Sequence, residues 1–306
     1  ELWSIFDFIM PGYLATKDKF QRIYNVKDMD NEKNNLDKLN TQIKYFILRR
    51  KKKDVVKDLP EKIENNIYID LGQKQKEIYA AEVQRTKESL DEMVREEGFT
   101  KAKFKILQLL TKLREICVDP SLIFENYKGG SAKIEELLKI VEETKANGHK
   151  MLIFTTYKKA LDLIIPKLNN IGVSSYYIDG SVSSKKRMEL VDKFNNDDTD
   201  VFIITLKAGG TGLNLTSATV VIHLDLWWNP QVENQATDRA HRIGQKNKVE
   251  VIRLITKGTI EERILELQNK KRKLADMLID GEGHSENQFS KLTEDDIKML
   301  LSMDKN

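Results

Sequence analysis

The sequence predicts an α/β fold built on a doubly wound parallel sheet and flanked by helical segments. Three observations carry that prediction. From Ser131 to about Gly258, short apolar runs alternate with amphipathic runs of ten or more residues, the pattern of parallel strands covered by helices on both faces. Before Ser131 the chain is charged, and its apolar residues recur every three or four positions, as in KFKILQLLTKLREICV, which is the spacing of one helix face. Between the two regions NYKGGS breaks the pattern, so Gly129 and Gly130 mark a candidate boundary.

The elements follow in order. The opening ELWSIFDFIMPGYL is apolar from its start, unlike a frayed polar terminus, so the chain is expected to be part of a longer protein. From Thr16 to Leu59 the composition is charged, with helical spacing around LDKLNTQIKYFIL and a basic run, RRKKKDVVKD, from Arg49 to Asp58. That run fits a nucleic-acid patch or a solvated charged face equally well. KIENNIYIDL alternates as a strand does, and the stretch from Gln73 to Leu122 predicts a helical pair or bundle. Then come helix SAKIEELLKIVEETKANG, strand KMLIFTT, helix KKALDLIIPKLNNIG, strand SSYYID, helix SSKKRMELVDKFNN, strand DVFIITL, strand ATVVIHL, an arginine-bearing helix and strand VEVIRLIT. Thr259, with Glu262 three residues on, predicts a capping box at the start of a long helix, and Thr293 predicts another in LTEDDIKMLLS.

Composition narrows the function classes. The 306 residues suit one large domain or two modest ones, and 40% apolar residues are enough for a core. A net charge of +3 argues only weakly for a polyanion partner; local clusters matter more. The single cysteine, Cys117, excludes an internal disulfide and fits a reducing compartment. His149, His223, His241 and His284 lack metal-ligand spacing, so no metal site is expected. No run approaches the ~20 apolar residues of a membrane span, and no leader pattern is visible. The expectation is a soluble, cytoplasmic protein.

Ligands of an open parallel sheet bind at the carboxyl ends of its strands. There the sequence has Thr155, Thr156 and Tyr157; then DGSVSSKKR; then LKAGGTGLNL; then DLWWNPQ. Small hydroxyls, glycines and a lysine suit contact with phosphate oxygens. AGGTG, from Ala208 to Gly212, is equally a tight turn, and DGSVS favours an N-capping turn. Trp227 and Trp228 fit core aromatics, or an exposed indole stacking on a base or sugar. The strongest cluster is NQATDRAHRIGQ, where Arg239 and Arg242 share a predicted helix face with Gln235 one turn earlier. Surface ion pairs with Glu233 or Asp238 are the plain alternative. Two guanidinium groups and an amide on one face also offer planar donors to a phosphoryl group, as arginine fingers do. No G-x-x-x-x-G-K-(S/T) phosphate loop is present, GGSAK has the wrong spacing, and no acidic pair follows an apolar strand. The chain carries fingers without a cradle for magnesium-ATP.

QATDRAHR fits Q-x-x-(G/D)-R-x-x-R, and with DRAHRIGQ it resembles helicase motif VI of the Swi/Snf-type DNA translocases of superfamily two. Other stretches resemble that family in order: ELWSIFDFIMPGYL after motif III, ILRRKKKDVVKDLPEKIE at the lobe crossing, GHKMLIFTTY motif IV, YYIDGSVSSKKR motif IVa, VFIITLKAGGTGLNLTSATVVIHLD motif V, and VIRLITKGTIEERI beyond motif VI. The resemblance covers nearly the whole chain up to about Gly281. It implies a RecA-like second lobe at 131–258, the end of lobe one with a helical protrusion at 1–62, a linker strand and second protrusion at 63–130, and a brace helix and tail at 259–306. Arg242 is then the principal arginine finger; Arg239 contacts the nucleotide phosphates or couples the lobes, Gln235 joins that network, and Gly210 and Gly212 shape the motif V loop near ATP and DNA. Thr155, Gly180, Ser181, Thr205 and Lys207 are expected along the DNA backbone, with Trp228 approaching the duplex. ATP and magnesium would be held mainly by an amino-terminal lobe outside this chain, and double-stranded DNA would be the partner of a fragment monomeric by itself. Trp227 stands where remodellers often have an acid, and Thr211 where they are often bulky, so the pattern is closer to the bacterial branch, with a nucleoid location. RNA-unwinding relatives usually end motif VI as H-R-x-G-R-x-x-R, which this chain does not; a non-catalytic module binding RNA or protein is the rival reading.

Overall fold

The computed structural model describes residues 2–24, 38–39, 41–47, 59–208, 212–278 and 294–300. The chain forms two compact units: Glu1–Lys57 with Leu267–Ser290, and Asp58–Glu266 with Lys291–Asn306. The basic run Arg49–Asp58, Gly210, Thr211 and the Thr293 cap lie outside the described residues.

In the first unit, helices α1 (Leu2–Ile9) and α2 (Lys17–Tyr24) contribute to a small apolar core of Phe6, Leu14, Leu39 and Ile43. Trp3 Nε1 donates to Ala15 O at 3.0 Å, satisfying the indole where it packs against that core.

The second unit contains β1 (Lys62–Ile69), α3 (Gln73–Glu97), α4 (Phe99–Val118), α5 (Ala132–Ala146), β2 (Met151–Thr155), α6 (Lys158–Asn170), β3 (Ser175–Ile178), α7 (Ser184–Asn196), β4 (Val201–Thr205), β5 (Val220–His223), α8 (Pro230–Thr237), β6 (Val249–Thr256), α9 (Ile260–Leu278, which runs on in sequence past this unit) and α10 (Glu294–Leu300). Helices start where the sequence supplies caps: Ser131 Oγ accepts from Ile134 N at 3.2 Å, and Ser183 Oγ accepts from Lys186 N at 3.3 Å. At α9, Thr259 Oγ1 accepts from Glu261 N, while the Glu262 carboxylate reaches back to Gly258 N. The cap is thus shifted by one residue from the expected reciprocal box.

The sheet is six-stranded, in the order β1-β6-β5-β2-β4-β3, and every pair is parallel. Alternation along the strands sorts the core into two layers. Met151 and Ile153 of β2 face Leu137 and Val141 of α5 and Ala160 and Ile164 of α6. Leu152 and Phe154, with Phe202 and Ile204 of β4, face Val191 and Phe194 of α7 and Leu213, Leu215 and Ala240. Helices on both faces explain why the central strands carry continuous apolar runs. β1 precedes the helical pair α3–α4 in sequence, yet it forms one edge of this sheet in register with β6. The Gly129–Gly130 break falls within this unit, where Gly130 takes φ 77° just before the Ser131 cap.

Candidate functional site at the carboxyl edge of the sheet

Strands β5, β2 and β4 are neighbours, so the residues that follow them form one edge. At its centre is Asp225, fully buried. Its carboxylate accepts from Thr155 Oγ1 at 2.8 Å, Thr156 N at 2.9 Å and Thr156 Oγ1 at 2.5 Å, and it pairs with Arg114 at 3.3 Å. A buried carboxylate must be paired and hydrogen-bonded, and this one is. Sequence reasoning missed Asp225 and Arg114. The signal available was an acid inside the otherwise apolar run VVIHLDLWW.

Three of the expected DNA contacts have buried side chains. Thr155 is buried with its hydroxyl donated to Asp225, and Trp228 is 2% exposed with the Arg114 guanidinium 5.2 Å from its ring centroid. Neither presents a side chain to solvent. Thr205 is also buried, at the end of β4.

The exposed members of the expected set are Gly180, Ser181 and Lys207. The loop after β3 is ordered by Asp179, which accepts from Ser181 N and Oγ at 2.8 and 2.5 Å and pairs with Lys158 at 2.7 Å. The Lys158 bond, then those of Ser181, hold the Asp179 carboxyl down at about 2. Arg187 joins this loop to the next: its guanidinium donates to Val182 O at 2.8 Å, Asp179 O at 3.1 Å and Ala208 O at 3.5 Å. Gly180 and Gly212 are exposed, and a Cβ at either would meet nothing within 4 Å, so backbone is open to approach at both.

Arg239 and Arg242 are not on a helix. α8, capped by Asn229 and started by Pro230, ends at Thr237. Tight turns follow: Arg239 N donates to Ala236 O, Ala240 N to Thr237 O, and Gln245 N to Arg242 O. One long-range bond holds the segment past the helix end, and a positive-φ glycine follows. Arg239 O accepts from Leu215 N at 2.9 Å, and Gly244 takes φ 104°, which a side chain would disfavour. The turn leaves Arg239 half-buried and Arg242 exposed, with Arg242 Nη1 donating to Gly212 O at 3.4 Å. Gln235 is exposed on α8. Burial, then the positive charge of Arg242, lowers the Arg239 pKa, against Asp238. The two cations therefore repel within one site, a field that an anion would relieve.

Behind this turn lies a second buried ionic group. Glu233 accepts from Trp227 N at 2.7 Å and from Arg253 Nε at 3.2 Å, and Arg253 also pairs with Glu64 of β1 at 2.9 Å. The site fits phosphate oxygens through its arginines and open glycine backbone. Among the described residues no group of three or more His, Cys, Asp or Glu could hold a metal ion. Nor, among them, is any helix long and apolar enough to cross a membrane.

A parallel sheet covered by helices on both faces, with an arginine-bearing turn after α8, is an α/β architecture of the RecA-like class. The family model described as the helicase conserved C-terminal domain matches residues 132–244, and that described as the SNF2-related domain matches residues 1–122. The putative ATP-dependent helicase/translocase YwqA of Bacillus subtilis is 39% identical over 99% of this chain and 33% of its own length. The Sulfolobus solfataricus SWI2/SNF2 ATPase C-terminal domain is 31% identical, covering 79% of this chain and 99% of that one, with a TM-score of 0.63. The core of the same ATPase solved in complex with double-stranded DNA is 32% identical, covering 99% of this chain and 64% of that one, with a TM-score of 0.64. The chain belongs to the SWI2/SNF2 family. It spans about a third of the length of the curated relatives it matches.

Proposed function

We propose that this chain acts as the carboxyl-terminal half of an ATP-driven motor on duplex DNA. The observation that carries the reading is the Arg239–Arg242 turn: two cations, one half-buried and lowered in pKa partly by the other, beside the open backbone of Gly212. Family membership and the DNA-bound relative support it. In this reading the ATP phosphates are delivered by an amino-terminal lobe outside this chain. Arg242 is the principal finger. Arg239 and Gln235 complete the phosphate contacts, and Gly210 and Gly212 shape the loop beside them. Magnesium is held by that other lobe.

DNA runs along the exposed loops at the carboxyl edge. Gly180, Ser181 and Lys207 contact its backbone, and Thr155, Thr205 and Trp228 support that edge from beneath. Such contacts give affinity with little sequence preference and a steep salt dependence. Closure of the two lobes on ATP brings the finger charge to the phosphoryl group as negative charge spreads over it. Residues 1–62 belong to the end of lobe one, 63–130 to the linker strand and second protrusion, 131–258 to lobe two, and 259–306 to the brace helix and tail.

The test is DNA-stimulated ATP hydrolysis by the full-length protein carrying Arg242→Ala. The expected loss is ~10³-fold or more, as for other arginine fingers; wild-type turnover rejects the assignment. The chain alone should hydrolyse ATP no faster than buffer, and robust turnover would reveal a site unaccounted for here.

A further inference from the structure

Arg114 is a cation sealed inside the second unit, with a side chain 2% exposed. Burying a charge is costly unless it is paired, and among the described residues those that bond this one or place a ring against it belong to the carboxyl edge. From α4, its Nη2 donates to Leu226 O at 2.5 Å and to Asp225 Oδ1 at 3.3 Å. Its guanidinium carbon lies 5.2, 5.4 and 5.6 Å from the ring centroids of Trp228, Trp227 and Tyr157. Only arginine combines in-plane donors with a flat face for aromatic rings; a lysine ammonium cannot do both. Asp225 then carries the linkage on, since its oxygens hold Thr155 Oγ1, Thr156 N and Thr156 Oγ1. On its other side the same loop is pinned by Trp227 N to Glu233 of α8, the helix leading into the arginine turn. One loop, 225–229, thus joins the helical pair, the end of β2 and the helix before Arg239.

We infer that Arg114 is a positioning residue: it sets the 225–229 loop and, through Asp225, the Thr155–Thr156 turn, so that the seating of the helical pair governs how tightly the carboxyl edge holds duplex DNA. The DNA part of this statement rests on the function proposed above. The positioning part does not.

The experiment is Arg114→Lys in the full-length protein, with two readouts. Amide hydrogen exchange at Thr156, whose N–H is bonded to Asp225, should speed up at least tenfold relative to wild type while α5 and β6 keep their protection. The duplex DNA concentration giving half-maximal stimulation of ATP hydrolysis should rise about tenfold or more, with DNA-free hydrolysis unchanged. Unchanged exchange at Thr156 overturns the inference. So does an unaltered half-maximal DNA concentration in a variant whose wild type is DNA-stimulated, and so does a uniform loss of protection with proportional loss of both hydrolysis rates, which marks a merely structural residue. If the wild type is not stimulated by DNA at all, the proposed function fails, and exchange at Thr156 alone decides the positioning. If Arg114→Lys does not fold, Thr156→Val removes one Asp225 donor without touching the cation. The same rise in half-maximal DNA concentration is expected, and none overturns the inference.

Discussion

Lys133 Nζ lies 2.5 Å from both carboxylate oxygens of Glu261, and neither side chain is exposed. Glu261 Oε2 also accepts from Thr256 N and Thr256 Oγ1, so the start of α5, the end of β6 and the start of α9 meet on one carboxylate. Removing one member of such a pair leaves an uncompensated buried charge. Lys133→Met should lower the stability of the second unit by about 3–5 kcal/mol in urea unfolding. Adding Glu261→Gln should recover part of that loss, because the charge left behind is gone. A single-variant loss of only a few tenths of a kcal/mol counts against this account.

His223 gives a pH signature. Its Nε2 is 3.0 Å from Thr237 Oγ1, and the ring stacks on Phe154 in full burial. Burial, then the charge of Arg253, pushes its pKa from 6.5 down to about 3. Below about 6.5 the unfolded chain gains a proton that the folded chain refuses until about 3, so stability rises with pH across that window. Urea midpoints should therefore fall as pH goes from 7 to 5, above the range where Glu64, held at about 2 in the fold, contributes with the same sign. His223→Phe should flatten the part of the slope due to this ring, and a slope identical to wild type removes His223 as its source.

Gln245 is a buried hub. The two hydrogens on its Nε2 are shared among Thr216 O, Ala218 O and Ala240 O at 3.0, 2.9 and 3.2 Å, and its Oε1 accepts from Lys246 N and Asn247 N, both at 2.9 Å. The amide fastens the arginine turn to the segment before β5. Gln245→Leu strands these backbone groups and should cost about 2–3 kcal/mol in equilibrium unfolding. A neutral result would mean that water replaces the amide.

Most strands were legible because burial on both faces writes itself into the sequence as apolar runs: VEVIRLIT is β6 residue for residue. Helix starts were legible where a hydroxyl stands before the first turn, as at Ser131 and Ser183. The segment past the end of the arginine-bearing helix was not, because it is held by Leu215, more than twenty residues earlier in the chain, bonding Arg239 O. The burial of Thr155 and Trp228 was hidden for the same reason. It depends on Asp225 and on Arg114, which lies far away in sequence but touches both tryptophan rings. Local pattern reports which face a residue prefers; it does not report a partner on a distant element.

The register of β1 carries a consequence for biosynthesis. Lys62 pairs with Val249 and Ile69 with Thr256, so the first strand of the sheet to leave the ribosome must wait for the last. Closing so long a loop is entropically slow, and until it closes the nascent chain displays an unpaired edge on β1, itself the kind of template that recruits neighbouring chains. Lys62, Glu64 and Asn66 share one face of KIENNIYI and Asn65 adds a polar residue to the other, which keeps that waiting strand wetted and discourages premature association.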